Sequence, residues 1–248
     1  MDHDEHCDLL EVEIDHFANN LEVAPLATRV PSCPEWSVED LAQHLGTIHR
    51  WAEHLVRGVA NARESSDSMN LELGPVGPGW IRDGGSQLVA TLRASDPDHV
   101  MWAWGPDQHV RFWSRRQLHE TLIHRMDLDL AMGLAPDTDA RIAVDAIDEF
   151  LVNLKSAARF SPRVKELRGA GEVLHVGTTD ADADWSIKLL PDGFELSDDR
   201  STPTASLRGP ATDLLLVLYR RLPLTSTKVS GSGRHDLIDF WIAHSALE

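Results

Sequence analysis

Leu10, Ile14, Phe17 and Leu21 recur at spacings of four, three and four residues, which places them on one stripe of an amphipathic helix. Pro25, Pro31 and Pro34 then interrupt the chain. Ser37 stands three residues before Asp40, a variant of the capping box, and predicts a helix over Val38–Val59. Arg63–Gly79 is rich in Ser, Gly and Pro and reads as a long loop. A third helix is expected over Trp80–Ala94, a Trp-bearing loop over Pro97–Pro106, and a fourth helix over Phe112–Met132. Gly133 ends that last helix, with Pro136 just beyond.

After Pro136 the period changes. Ala140–Ala158 is helical, with Ile142, Ala146, Phe150 and Leu154 near one face. Strand-like runs follow at Glu172–Thr178, Trp185–Leu190, Phe194–Ser197 and Ala205–Arg208. Pro191-Asp192-Gly193 is a turn, because Pro presets φ and Gly admits positive φ. A helix over Ala211–Arg220, a short strand over Thr227–Ser230 and a helix over Asp236–His244 complete the pattern. The expected fold class is therefore α plus α+β, with an all-helical domain over residues 1–135 and a smaller α+β domain over 136–248.

Composition narrows the function classes. The 248 residues are 42% hydrophobic and 25% charged, an ordinary globular balance that excludes general disorder. With 23 basic and 40 acidic residues the net charge is −17, which repels phosphate backbones and anionic lipid; neither nucleic acid nor membrane is an expected partner. No apolar run approaches the ~20 residues needed to span a bilayer. The start, Met1-Asp2-His3-Asp4-Glu5-His6, lacks the basic and apolar stretches of a secretory signal. Two cysteines, Cys7 and Cys33, cannot form a disulfide framework, so a cytoplasmic, reducing location is expected. The 13 His in an acidic chain direct attention to metal binding.

On a helical wheel, Leu41, Ile48, Trp51 and Leu55 fall within about 60° of His44 at ~100° per residue, which predicts that His44 points into the core. His49 falls at the rim of that arc and His54 beyond its other edge. On the fourth helix Glu120, His124 and Asp127 lie together amid Ile123, Met126, Leu128, Leu130 and Ala131, while His119 is turned away. A buried carboxylate without a partner costs several kcal/mol in practice. A Glu and a His one turn apart can reach one ion. His44, Glu120 and His124 are thus candidate metal ligands. Two His and one carboxylate leave an open coordination position, as a catalytic zinc site requires. The same residues fit a second reading, a closed polar network in which Glu120 pairs with an arginine such as Arg116 and the two His bond to backbone.

The run Cys33-Pro34-Glu35-Trp36-Ser37-Val38-Glu39-Asp40-Leu41-Ala42-Gln43-His44-Leu45-Gly46, with His49-Arg50-Trp51 after it, resembles the start of the metal-binding domain of the mycothiol-dependent maleylpyruvate isomerase family. His119-Glu120-Thr121-Leu122-Ile123-His124-Arg125-Met126-Asp127 resembles that family's second metal motif. The resemblance implies a DinB-like four-helix bundle holding zinc through His44, Glu120 and His124. Ala205-Ser206-Leu207-Arg208-Gly209 and the run Asp213–Arg221 are similar to the family's sterol-carrier-like C-terminal domain, a likeness of fold that implies no lipid cargo. It also implies a site-facing arginine after the second-domain helix, matched best by Arg221 with Arg220 as alternate. Glu35 departs from the Gly usual before the Trp.

The implied chemistry is a metal-activated thiolate of mycothiol, the cosubstrate, adding to an unsaturated or electrophilic substrate. In the isomerase form maleylpyruvate becomes fumarylpyruvate by addition, bond rotation and loss of the thiol. Asp127 is the expected orienting partner of His124, and Arg221 would clamp a carboxylate of a small substrate. Cys33, before Pro34 in a turn, is read as structural, and the Trp cluster as bundle core, with Trp102 and Trp104 as the candidates to line a pocket. Two alternatives remain open: a mycothiol S-transferase acting on other electrophiles, and a non-catalytic binding or regulatory protein with the same fold.

Overall fold

The computed structural model describes residues 1–65, 75–197 and 202–245, in two compact units, Met1–Pro136 and Asp137–Glu248. In the first unit α1 (His3–Val23) starts with a capping box between Asp2 and Glu5, and α2 (Val38–Arg57) with one between Ser37 and Asp40. α3 (Pro78–Ala94) has Pro in its first turn. α4 (Val110–Ala131) completes the set. α1 and α2 each pack on both α3 and α4, which makes a four-helix bundle around Phe17, Leu45, Leu88 and Trp113. Gly46 lets α3 approach α2, since a Cβ there would stand 2.0 Å from the Trp80 ring.

The region around the three prolines is ordered. β1 (Arg29–Val30) and β2 (Cys33–Ser37) form a small antiparallel hairpin that the sequence pattern does not announce. It is too short for alternation to register, and Pro34 sits where a wider sheet would not admit it. β2 runs directly into α2, so Ser37 ends one element and caps the next. Most of the expected Arg63–Gly79 loop lies outside the described residues.

In the second unit α5 (Ala140–Ala157) precedes a five-stranded mixed sheet. Its strands are β3 (Val173–Thr178), β4 (Asp184–Leu190), β5 (Gly193–Ser197), β6 (Ala205–Gly209) and β7 (Ser230–Gly233), ordered β5-β4-β3-β6-β7. β3 and β6 are parallel and the other pairs antiparallel. α6 (Ala211–Leu218) packs on α5 and β6, and α7 (His235–His244) on β6 and β7. The strand expected at Thr227–Ser230 lies later, at Ser230–Gly233, because a 3₁₀ turn occupies Leu224–Ser226. No helix among the described residues is long and apolar enough to cross a membrane.

Three helices end in the same way, each with a left-handed residue two positions past its last helical residue. Gly133 does so after α4, at φ 72°. Val59 (φ 47°) and Arg220 (φ 56°) do so after α2 and α6. In each case the left-handed N–H returns three residues and the next N–H five, to Leu130 and Asp129, Val56 and Leu55, and Val217 and Leu216. This is the Schellman arrangement, which favours Gly. It explains why α2 stops at Arg57 and α6 at Leu218 rather than at Val59 and Arg220. Val59 is a β-branched residue in a conformation that crowds its Cβ, and its side chain is exposed. Val59→Gly is expected to raise the free energy of unfolding by about 1 kcal/mol, measurable by urea titration; an unchanged midpoint would show that the strain is absent.

Candidate metal centre

α4 packs against α1, α2, α3 and β1 and is buried on almost all sides, although it carries charged residues on several faces. Arg116, Glu120, His124, Arg125, Asp127 and Asp129 among them have built partners. On one side the buried Arg125 donates from Nε to Glu13 Oε2 at 2.9 Å and from Nη1 to Asp129 Oδ2 at 2.7 Å, and Asn20 donates to Asp129 Oδ1 at 2.7 Å. On another side lie Glu120, His124 and Asp127.

His44 of α2 meets that second group. Its Nε2 is 3.3 Å from Glu120 Oε1, and His124 Nε2 is 3.2 Å from the same oxygen. One ligand atom from each of His44, Glu120 and His124 lies within 4.8 Å of the other two. In a four-coordinate zinc site with bonds of ~2.0–2.1 Å, ligand atoms stand about 3.3–3.4 Å apart. The 3.3 and 3.2 Å separations fit that spacing, so the donor set suits a divalent ion. The other oxygen, Oε2, is held by the buried Arg116, one turn earlier on α4.

The flanking groups orient these side chains. His124 donates from Nδ1 to Asp127 Oδ2 at 2.9 Å, which leaves Nε2 to face Glu120 and His44. Asp127 is fully buried, and its Oδ1 accepts from Ser32 Oγ at 2.6 Å, tying the β1–β2 hairpin to the site. Trp36, on β2, lies against both imidazoles, with ring centroids 4.8 Å from His44 and 6.1 Å from His124. Burial pushes the Glu120 carboxyl up, but the Arg116 guanidinium and the hydrogen bonds from His124 and His44 outweigh it and hold the group well below the usual carboxylate range. Burial pulls the His124 imidazole down, while its bonds to Asp127 and Glu120 push it up, to about 9.

The expectation that His44 points into the core needs correction. Its side chain is 33% exposed. The buried face of α2 is centred on Leu45, His49, Ala52 and Val56, and His44 shares a half-buried face with Ile48 and Trp51. The fully buried histidine of α2 is His49, placed by the wheel at the rim. Its Nε2 is 2.8 Å from Thr121 Oγ1, whose only proton goes to Gln117 O, so the imidazole donates. Burial pulls His49 down to about 3 and keeps it neutral.

Trp51, Trp102 and Trp113 form a mutual cluster with centroids 5.3 to 6.3 Å apart. Trp102 thus belongs to bundle packing, whereas Trp104 meets Phe112 edge to face and its ring lies 5.8 Å from the Arg116 guanidinium carbon. Trp36, not singled out by spacing, is the tryptophan at the centre; its place in the family-like run before His44 was the available signal. Arg221, in the second unit, follows the left-handed Arg220 and donates from Nη1 to Tyr219 O at 3.0 Å.

Two family models match the sequence. Residues 7–129 match the mycothiol maleylpyruvate isomerase N-terminal domain, and residues 141–240 the MDMPI C-terminal domain. The chain belongs to the mycothiol-dependent maleylpyruvate isomerase family. Two crystal structures of the mycothiol-dependent maleylpyruvate isomerase share this fold. One is of the isomerase, at 15% identity and TM-score 0.57, and the other of a histidine-to-alanine variant, at 14% identity and TM-score 0.58. In both comparisons 94% of this chain and 93% of the other are covered. No curated protein matches the sequence. For the maleylpyruvate isomerase family fold, the bundle and the mixed-sheet unit are the two parts that the family models divide between them.

Proposed function

We propose that this chain is a cytoplasmic zinc- and mycothiol-dependent enzyme that isomerises maleylpyruvate to fumarylpyruvate. The observation that carries the reading is the convergence of His44, Glu120 and His124 from two helices within 4.8 Å. These residues would hold the ion. A bound divalent metal supplies the positive charge that keeps a thiol as thiolate near neutral pH. Asp127 fixes the ring orientation of His124 by accepting its Nδ1–H. Trp36 packs against the two imidazoles. Arg221 is the proposed anchor for a carboxylate of the small substrate, since its planar fork can make two parallel hydrogen bonds. Nucleic acid has no part in this reading.

The test is metal analysis of the purified protein followed by assays with mycothiol and either maleylpyruvate or a generic electrophile. About one zinc per chain with thiol-dependent isomerisation supports the proposal. Conjugation of the electrophile alone would make the protein a thiol S-transferase, and metal-free protein without activity in either assay would make it a binding protein. Arg221→Ala is expected to keep its zinc and lose at least about tenfold in kcat/KM for a carboxylated substrate, ~1.4 kcal/mol of transition-state binding. Arg221→Lys should recover part of the loss. Wild-type kcat/KM in the alanine variant, with a lowered Tm, would restrict Arg221 to the end of α6.

A further inference from the structure

The two oxygens of Glu120 have different neighbours. Oε1 faces both imidazoles, at 3.3 and 3.2 Å, whereas Oε2 is paired with the Arg116 guanidinium. Arg116 is buried, lies one turn before Glu120 on α4, and has the Trp104 ring centroid 5.8 Å from its guanidinium carbon. A free carboxylate can give a divalent ion one oxygen or two. If it gives two, it fills an additional position in the coordination shell, the position that a catalytic site with three protein ligands leaves open. An arginine is never deprotonated in a protein, and its bond to a carboxylate is charge-assisted on both sides. Held in a buried position, it is a lasting competitor for one of the two oxygens.

We propose that Arg116 is a positioning residue that holds Glu120 as a one-oxygen ligand, so that the open coordination position is kept for the thiol. The proposal rests on the reading of His44, Glu120 and His124 as a metal site. It assigns Arg116 a role different from closing a polar network. In a closed network the pair only neutralises Glu120; here the arginine selects which oxygen faces the ion. On this reading Arg116 acts through Glu120, to which it bonds.

Cobalt(II) is the probe, because its visible absorption is stronger in four-coordinate than in higher-coordinate sites. Metal-depleted wild-type protein and Arg116→Gln are each loaded with cobalt and read for stoichiometry, spectrum and steady-state kinetics in mycothiol. The variant is expected to take up one cobalt per chain, as wild type does, with its visible absorption lowered by about twofold or more as Glu120 turns both oxygens to the ion. KM for mycothiol should rise about tenfold with a smaller change in kcat. Arg116→Lys, which keeps the charge but not the fork, should recover part of both effects.

A loaded variant with the wild-type spectrum and wild-type KM overturns the proposal. So does a folded variant that takes up no cobalt, since Arg116 would then build the site rather than choose the binding mode. Where Arg116→Gln does not fold, Arg116→Met, closer in apolar bulk, carries the same readouts; failure of both to fold makes Arg116 a folding residue and also overturns it. Wild-type protein that binds no cobalt is a different result, because it removes the metal reading itself.

Discussion

His44→Ala protein is expected to retain less than about a tenth of the metal held by the wild-type chain and to lose the metal-dependent activity with it. Only Glu120 and His124 would remain, both on α4, and a two-donor site from one helix competes poorly with water. The fold should survive the change. The His44 side chain is one-third exposed on a half-buried face of α2, so its removal opens no sealed cavity, and a stability change within about 1 kcal/mol is expected. Metal content by atomic absorption and thermal unfolding, measured on one preparation, separate the two effects. Full zinc retention with an unchanged Tm would remove His44 from the ligand set.

The largest stability effect is expected on the other side of α4. Arg125→Met leaves the carboxylates of Glu13 and Asp129 in the bundle interior without the guanidinium that now bonds to both. Removing one partner from a buried ionic group costs about 3–5 kcal/mol. For a unit of this size that corresponds to a Tm lower by roughly 10–20 °C. The cost comes from the uncompensated charges and not from the lost contact alone. Replacing all three residues together (Glu13→Leu, Arg125→Met, Asp129→Leu) is therefore expected to restore much of the stability. Calorimetry decides the point: a single variant within 1 kcal/mol of wild type would show that water or rearrangement satisfies the two acids.

Both experiments concern α4, where pattern and structure differ most in what they disclose. Periodicity placed Glu120, His124 and Asp127 on one face, and the structure has all three there, with Asp127 bonded to His124. Periodicity also implies one wet face, which α4 does not have, because three helices and β1 surround it. Arg125, Asp129 and Gln117 are polar or charged and are nonetheless buried. A period reports which residues share a side, and the number of neighbours around a helix is a property of the assembled bundle.

The same distinction accounts for α2. The apolar arc around His44 exists, but Ile48 and Trp51 within it are half-buried, whereas the core side carries Leu45, His49 and Val56. Apolar character does not separate a core face from the wall of an open site, since folded surfaces are themselves largely apolar. Helix ends show a related limit. Gly133 was legible as a terminator because its conformational freedom is a property of the residue. Val59 and Arg220 adopt the same left-handed state through backbone bonds back into their helices, against their own preference, and nothing local marks them.

By itself the sequence determined the two-part architecture, the capping box at Ser37, the turn at Pro191-Asp192-Gly193 and the pairing of Glu120 with His124, because each depends on residues within a few positions of one another. Its family-like runs also singled out His44 over its neighbours. Only the tertiary structure decided that Trp36 lies over the imidazoles, that Ser32 reaches Asp127, that His49 is the buried histidine of α2 and that Arg116 takes one oxygen of Glu120 while the histidines face the other. Most of these contacts join segments far apart in the chain. Arg116 and Glu120 are close in sequence, but which oxygen each partner takes depends on where α2 sets His44. Such geometry follows from the packing of whole elements, to which many distant residues each contribute a little.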